Sequence, residues 1–174
     1  MKGYTPDLFD RLLGQPVRNG VPVTRLSAEE LKDAVARDLE ALLNTRSTLR
    51  NGDLAGFTEC ILSMVNYGLC DFADRSLSSP TDRAHVCTCI EQTIARHEPR
   101  LRDVKALLEL REGSASPSVN RLGFSITGVL VGSVSDEPVN FDAVLQPSTL
   151  QYSIRKSGRA AAPAVATSAS AAGA

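Results

Sequence analysis

The hydrophobic period of this 174-residue chain changes at Glu98-Pro99, and this change limits the fold more than any other feature. Before it, apolar residues recur at helical spacing; after it, they alternate with polar residues as in half-buried strands. Proline donates no helix hydrogen bond and restricts the preceding residue, so we expect a helix to end at Glu98. The sequence therefore predicts an α+β fold, with N-terminal helices packed on a small, mainly antiparallel C-terminal β-sheet.

Helical spacing predicts three helices in the first part of the chain. Ser27 and Glu30 have the spacing of a capping box, and the apolar residues after them recur on one face. Ser79 before Pro80 is typical of an N-cap followed by a first-turn proline. A weaker apolar pattern predicts a shorter helix between these two. The predicted helices cover residues 27–44, 54–64 and 79–98.

Alternation of apolar and polar residues predicts four strands after Pro99. The connections are short and polar, with turn-forming residues over 113–117 and 136–138. Short connections favour antiparallel pairing of consecutive strands, because a parallel pair needs a long crossover. The predicted strands contain residues 104–110, 122–130, 139–143 and 150–154.

A short amphipathic segment lies near the N-terminus, where Leu8, Phe9 and Leu12 recur at helical spacing. It is too short to be stable alone, and the linker over residues 14–22 allows docking either on its own domain or on a partner. The Ala- and Ser-rich end has no periodic apolar face and is expected to be disordered. We therefore divide the chain into residues 1–25 (segment and linker), 26–155 (a single α+β domain) and 156–174 (the tail).

The charge balance indicates protein partners. The chain has 19 basic and 20 acidic residues, a net charge of -1, which does not favour nucleic acid or anionic membrane surfaces. Its apolar runs fall well short of the roughly 18 residues that span a bilayer. Residues 1–10 lack the hydrophobic region of a signal peptide, so a cytoplasmic location is expected.

The four cysteines, Cys60, Cys70, Cys87 and Cys89, are not spaced like a disulfide framework, and we expect them to be reduced and partly buried. Residues 85, 87 and 89 read His-x-Cys-x-Cys, which suggests a metal site. Helix positions two apart point about 200° apart, however, so Cys87 faces away from the other two side chains. Small core residues are the favoured interpretation, and no metal or cofactor is predicted.

Catalytic patterns are poor. The sequence has no nucleophile elbow, no Gly-rich phosphate loop and no two-histidine metal helix. Paired carboxylates are the one enzymatic option, and Glu98, Asp71 and Asp74 are the candidates for cleaving a glycosidic bond. Arg96 and Arg100 favour the ionised form of Glu98, whereas a general acid needs its proton, so no catalytic residue is assigned.

The Glu98-Pro99-Arg100 corner carries two opposite charges on a rigid turn. Fixed charges at a corner suit docking against another surface. The same two charges also suit an internal ion pair at a domain edge, and the residues alone leave both interpretations open.

An ordered set of segments resembles the baseplate wedge subunits of contractile injection machines, and most closely the TssE-like subunits of type VI secretion. The resemblance covers about residues 8–154, and Cys70 stands where members usually have proline. The segments that carry it are Leu8–Leu12, Asp38–Arg46, Ser63 with Val65–Leu69, and Glu98–Leu101.

This resemblance implies a structural role without catalysis. Members attach to the wedge proteins TssF and TssG and resemble part of a contractile-sheath subunit, and their exposed sheet edge would exchange strands with the sheath proteins TssB and TssC. The implied location is cytoplasmic, in a complex docked at the inner membrane. An inherited "lysozyme-like" label supplies the alternative, a peptidoglycan-cleaving hydrolase. The partner-binding candidates are Glu98, Pro99, Arg100, Leu8, Phe9 and Leu12.

Overall fold

The computed structural model describes residues 4–14, 17–49, 52–54, 56–72, 74–76, 79–109, 122–131, 136–146 and 148–157. The predicted turn over 113–117 and the tail from residue 158 lie outside this part of the chain. The helices are α1 (Leu8–Leu12), α2 (Ala28–Asn44), α3 (Thr58–Ile61) and α4 (Pro80–His97). The strands are β1 (Val17–Arg18), β2 (Val21–Pro22), β3 (Leu101–Glu109), β4 (Leu122–Leu130), β5 (Glu137–Gln146) and β6 (Gln151–Lys156).

The two long helices begin where their caps predict. The Ser27 hydroxyl accepts from the backbone N–H of Glu30, and the Glu30 carboxylate accepts from that of Ser27 at 2.8 Å, so the predicted capping box is confirmed. Ser79 caps α4, which starts at Pro80. This helix ends at Glu98, whose backbone N–H bonds to the carbonyl of Ile94 at 2.8 Å.

Strands β3 to β6 form one antiparallel sheet in chain order, as the short connections predict. Helix α2 packs along β6 and α4 along β3. One face of the sheet therefore meets the helices, which confirms the predicted α+β arrangement. The core between the layers includes Leu39, Ile90, Phe124, Phe141 and Leu145.

The helix predicted over residues 54–64 is wrong in extent. Only α3 forms, followed by a 3-10 turn over Met64–Asn66 that the Ser63 side chain caps. Phe57, Leu62 and Met64 are exposed, so the apolar residues of this segment do not form one buried face. Without such a face, a short helix has little tertiary packing to stabilise it.

The linker and several strand boundaries also differ from prediction. The linker over residues 14–22 contains the β1–β2 hairpin, whose turn residues Asn19 and Gly20 have φ values of 53° and 79°. That geometry is typical of an Asn-Gly turn between short strands. Strand β3 begins at Leu101, and β6 begins after Leu150, which has a φ of 54°. Strand β5 begins at Glu137, so the turn predicted over residues 136–138 is wrong for its last two residues. Among the described helices, none is long and apolar enough to cross a membrane.

Candidate functional site

The predicted corner is an ion pair between Glu98 and Arg100. The Nε of Arg100 donates to Oε1 of Glu98 at 2.6 Å, and Nη2 donates to Oε2 at 2.5 Å. The Glu98 side chain is 5% exposed and that of Arg100 is 25% exposed, whereas Pro99 is exposed. Glu98 therefore faces inward, and Pro99 with the outer part of Arg100 forms the surface of the corner.

Arg100 also connects the corner to α2. Its Nη2 donates to Oδ2 of Asp38 at 2.6 Å, so one guanidinium joins two carboxylates from different elements. Burial disfavours the charge of Arg100, but the bonds to Glu98 and Asp38 outweigh that cost and hold its pKa above the ordinary value. The corner is thus a fixed cationic centre between two anions.

The N-terminal segment docks on its own domain through Arg37, the residue of α2 that precedes Asp38. Arg37 donates from Nη2 to Oδ1 of Asp10 at 2.7 Å, and Asp10 is buried. Leu8 and Leu12 of α1 are 67% and 73% exposed, so the apolar side of this segment faces outward. Phe9 lies in α1, but its side chain is outside the described residues. We call the linked residues Asp10, Arg37, Asp38, Glu98 and Arg100 the corner network.

Residues Asn66 and Tyr67 contact His97, the residue that precedes Glu98. The rings of Tyr67 and His97 meet edge-on at 5.3 Å, and Nε2 of His97 lies 3.1 Å from the carbonyl oxygen of Asn66. Burial raises the pKa of Tyr67, and the negative charges of Asp38 and Glu98 raise it further. Tyr67 therefore lies within electrostatic range of the carboxylates that hold Arg100.

Gly68 joins the segment of Asn66 and Tyr67 to the end of α2. It has a φ of 115°, and a Cβ atom there would lie 2.7 Å from the carbonyl oxygen of Thr45. This close approach allows the backbone N–H of Leu69 to donate to that oxygen at 2.8 Å, while Ser47 donates to the carbonyl of Leu69. The four segments that suggested the resemblance are thus connected to one another in space.

The same geometry bears on the other sequence hypotheses. Both carboxylate oxygens of Glu98 accept from Arg100, which is the arrangement of an ion pair. The four cysteines are free and partly buried, as predicted. Cys89 contacts His85 at 3.5 Å, whereas Cys87 faces the backbone of Leu108. The described residues contain no metal-binding cluster of His, Cys, Asp or Glu.

Two residues of the site have partners that the sequence did not indicate. Helical periodicity leaves Arg37 and Asp38 on the faces of α2 away from the core, and Arg37 is indeed exposed. The structure gives each of them a partner distant in sequence, Asp10 and Arg100 respectively. Adjacent opposite charges on a helix were the available signal, but such charges are also common on solvated helix faces.

These contacts define a structural class, a two-layer α+β subunit whose charged residues fix separate segments to one another. A family model described as "Baseplate wedge protein gp25" matches residues 29–134, which is more than half of the chain. The chain belongs to this family. Its role is therefore that of a structural baseplate component in a contractile injection system. Comparison with curated proteins found no match.

Proposed function

We propose that this chain is a TssE-like subunit of a type VI secretion baseplate. In that role it links the wedge proteins TssF and TssG to the first sheath ring and initiates sheath assembly. The observation that carries the proposal is the corner network, which holds the outward-facing residues of α1 on the same rigid frame as the corner. A docking surface with fixed parts loses little conformational entropy on binding.

The wedge-binding residues have different parts in this proposal. Leu8 and Leu12 supply exposed apolar area on α1, and Pro99 with the accessible part of Arg100 supplies the corner. Phe9 belongs to the same segment. Glu98 is buried and acts through Arg100, whose guanidinium it orients.

The sheath end of the proposal uses the four-stranded sheet. An extended segment of TssB or TssC that adds to a sheet edge would replace the side chains that bond the outward backbone groups of that edge, and would set the register of the next subunit. The complex would lie in the cytoplasm, docked at the inner membrane. The chain itself would reach the membrane only through its partners.

The wedge interface can be tested by co-expression with TssF and TssG and affinity capture. We expect the double variant Leu8→Glu, Leu12→Glu to remain folded and to lose capture of both proteins, because both side chains are exposed and charge would face an apolar partner surface. Leu62→Glu is the matched control, since Leu62 is also exposed but lies beside α3. Undiminished capture by the double variant would refute this assignment.

The hydrolase alternative has a direct test. Purified protein incubated with peptidoglycan is expected to release no muropeptides above background. Release that disappears in Glu98→Gln would contradict the structural proposal, because it would assign chemistry to a carboxylate that is paired with Arg100 in the structure.

A further inference from the structure

The outer edge of β6 is covered by side chains of α2. Alternate residues of an antiparallel strand direct their backbone groups to opposite sides, and those of Tyr152 and Ile154 point away from β5. The backbone N–H of Tyr152 donates to Oδ1 of Asn44 at 2.7 Å, and that of Ile154 donates to Oε2 of Glu40 at 2.7 Å. These outward donors therefore already have acceptors.

The side chain of Asn44 makes the two hydrogen bonds that a residue of a neighbouring strand would make. Its carboxamide accepts from the N–H of Tyr152 and donates from Nδ2 to the carbonyl of the same residue at 2.9 Å. Two bonds exchanged with one residue are the pattern of a hydrogen-bonded antiparallel pair. Arg46 extends the row by donating to the carbonyl of Leu150 at 2.7 Å.

The spacing of Glu40 and Asn44 matches the spacing of the strand. Four helix residues rise about 6 Å, and two strand residues rise about 6.8 Å, so one helix face can serve successive outward positions of an edge. The two acceptors need no distortion of α2 to reach Ile154 and Tyr152.

The opposite edge of the sheet has the same arrangement. The N–H of Ala106 in β3 donates to Oε1 of Glu91 at 2.9 Å, and the backbone of Leu108 bonds to the Cys87 thiol. Cys87 and Glu91 are again four residues apart, on α4. A bulge at Asp103, which has a φ of 52°, further interrupts this edge.

We propose that Glu40 and Asn44 close the β6 edge against a second copy of this chain. A strand edge can pair with the same edge of another copy across a two-fold axis, which leads to dimers or aggregates. A groove of about 780 Å³ extends over β5 and β6 and reaches the β6 edge, with Glu40, Asn44 and Val144 among its lining residues. The two polar side chains occupy the hydrogen-bonding positions that the second copy would use.

The test compares two double variants of the full chain. Glu40→Ala, Asn44→Ala removes both side-chain acceptors, whereas Glu29→Ala, Asp33→Ala removes two carboxylates of the same helix that bond the Lys156 side chain. Light scattering after size exclusion measures molar mass across the micromolar to millimolar range. We expect the first variant to double its mass as concentration rises, while wild type and the second variant stay monomeric.

Amide exchange locates the contact. In dilute solution the N–H groups of Tyr152 and Ile154 should exchange at least about tenfold faster in the first variant, and they should regain protection in the dimer. Should that variant not fold, Asn44→Ala alone leaves the Glu40 bond in place and gives the same test at Tyr152. A folded variant that stays monomeric with an unprotected Tyr152 would overturn the proposal, as would a wild-type dimer paired through β6.

Discussion

The energetic coupling between Glu98 and Arg100 is the most direct measure of whether the corner is part of the fold. Two charge-assisted bonds of 2.6 and 2.5 Å join the side chains, and Glu98 is almost fully buried. Removing Arg100 leaves the buried carboxylate of Glu98 without a counter-charge, which costs about 3 kcal/mol, whereas removing Glu98 leaves Arg100 with Asp38 as its remaining counter-charge. Removing both loses the pair but leaves neither of these two charges behind.

A double-mutant cycle separates these effects. The variants are Glu98→Ala, Arg100→Ala and the double variant, and urea unfolding followed by circular dichroism gives the free energy of unfolding of each. We expect a coupling energy of about 2 kcal/mol, which is the worth of one or two hydrogen bonds to a charged group and well above that of an exposed pair. The contact of Arg100 with Asp38 cancels in the cycle, because both variants that lack Arg100 lose it.

An exposed ion pair supplies the comparison for this cycle. Lys156 and Asp33 are 2.9 Å apart, but their side chains are 40% and 60% exposed, so solvent and salt screen the interaction. Their cycle is expected to show little coupling. A Glu98–Arg100 coupling below about 0.5 kcal/mol would refute the reasoning, because the pair would then behave as a surface contact.

Two further predictions concern Gly68 and His97. Gly68→Ala should lower the free energy of unfolding by roughly 3 kcal/mol, because it adds a backbone clash to the strain of a positive φ. Gly56 also has a positive φ, of 95°, but open space around it, so Gly56→Ala should lower the free energy of unfolding by only about 1 kcal/mol. Equal losses in urea unfolding would contradict the predicted clash. Burial lowers the pKa of His97, so the unfolded chain binds more protons near this group, and its contribution to stability is present above about pH 6.5 and is lost as pH falls through the folded value. Unfolding curves at several pH values should therefore show a flatter acid dependence for His97→Gln than for wild type, and an unchanged slope would refute this.

The sequence predicted those elements whose signals are local. The capping box at Ser27 and the N-cap at Ser79 each depend on residues within one turn, so α2 and α4 begin where expected. The order of the sheet followed from short connections, which leave neighbouring strands few alternatives. The hairpin at Asn19-Gly20 was missed because its glycine and prolines were interpreted as a flexible linker.

The partners of the polar residues on α2 could not be predicted, because they depend on tertiary placement. Asp38 and Glu40 have the periodicity of a solvated face, yet one holds Arg100 and the other covers an edge of the sheet. A carboxylate at the border of the packed face of a helix can reach the backbone or a side chain of the neighbouring layer. Its position in the helical repeat is the same whether it makes such a bond or faces solvent. Helix α2 therefore serves the proposed docking corner and the proposed edge closure at once, and a substitution at one of these residues has to be interpreted together with its effect on the fold.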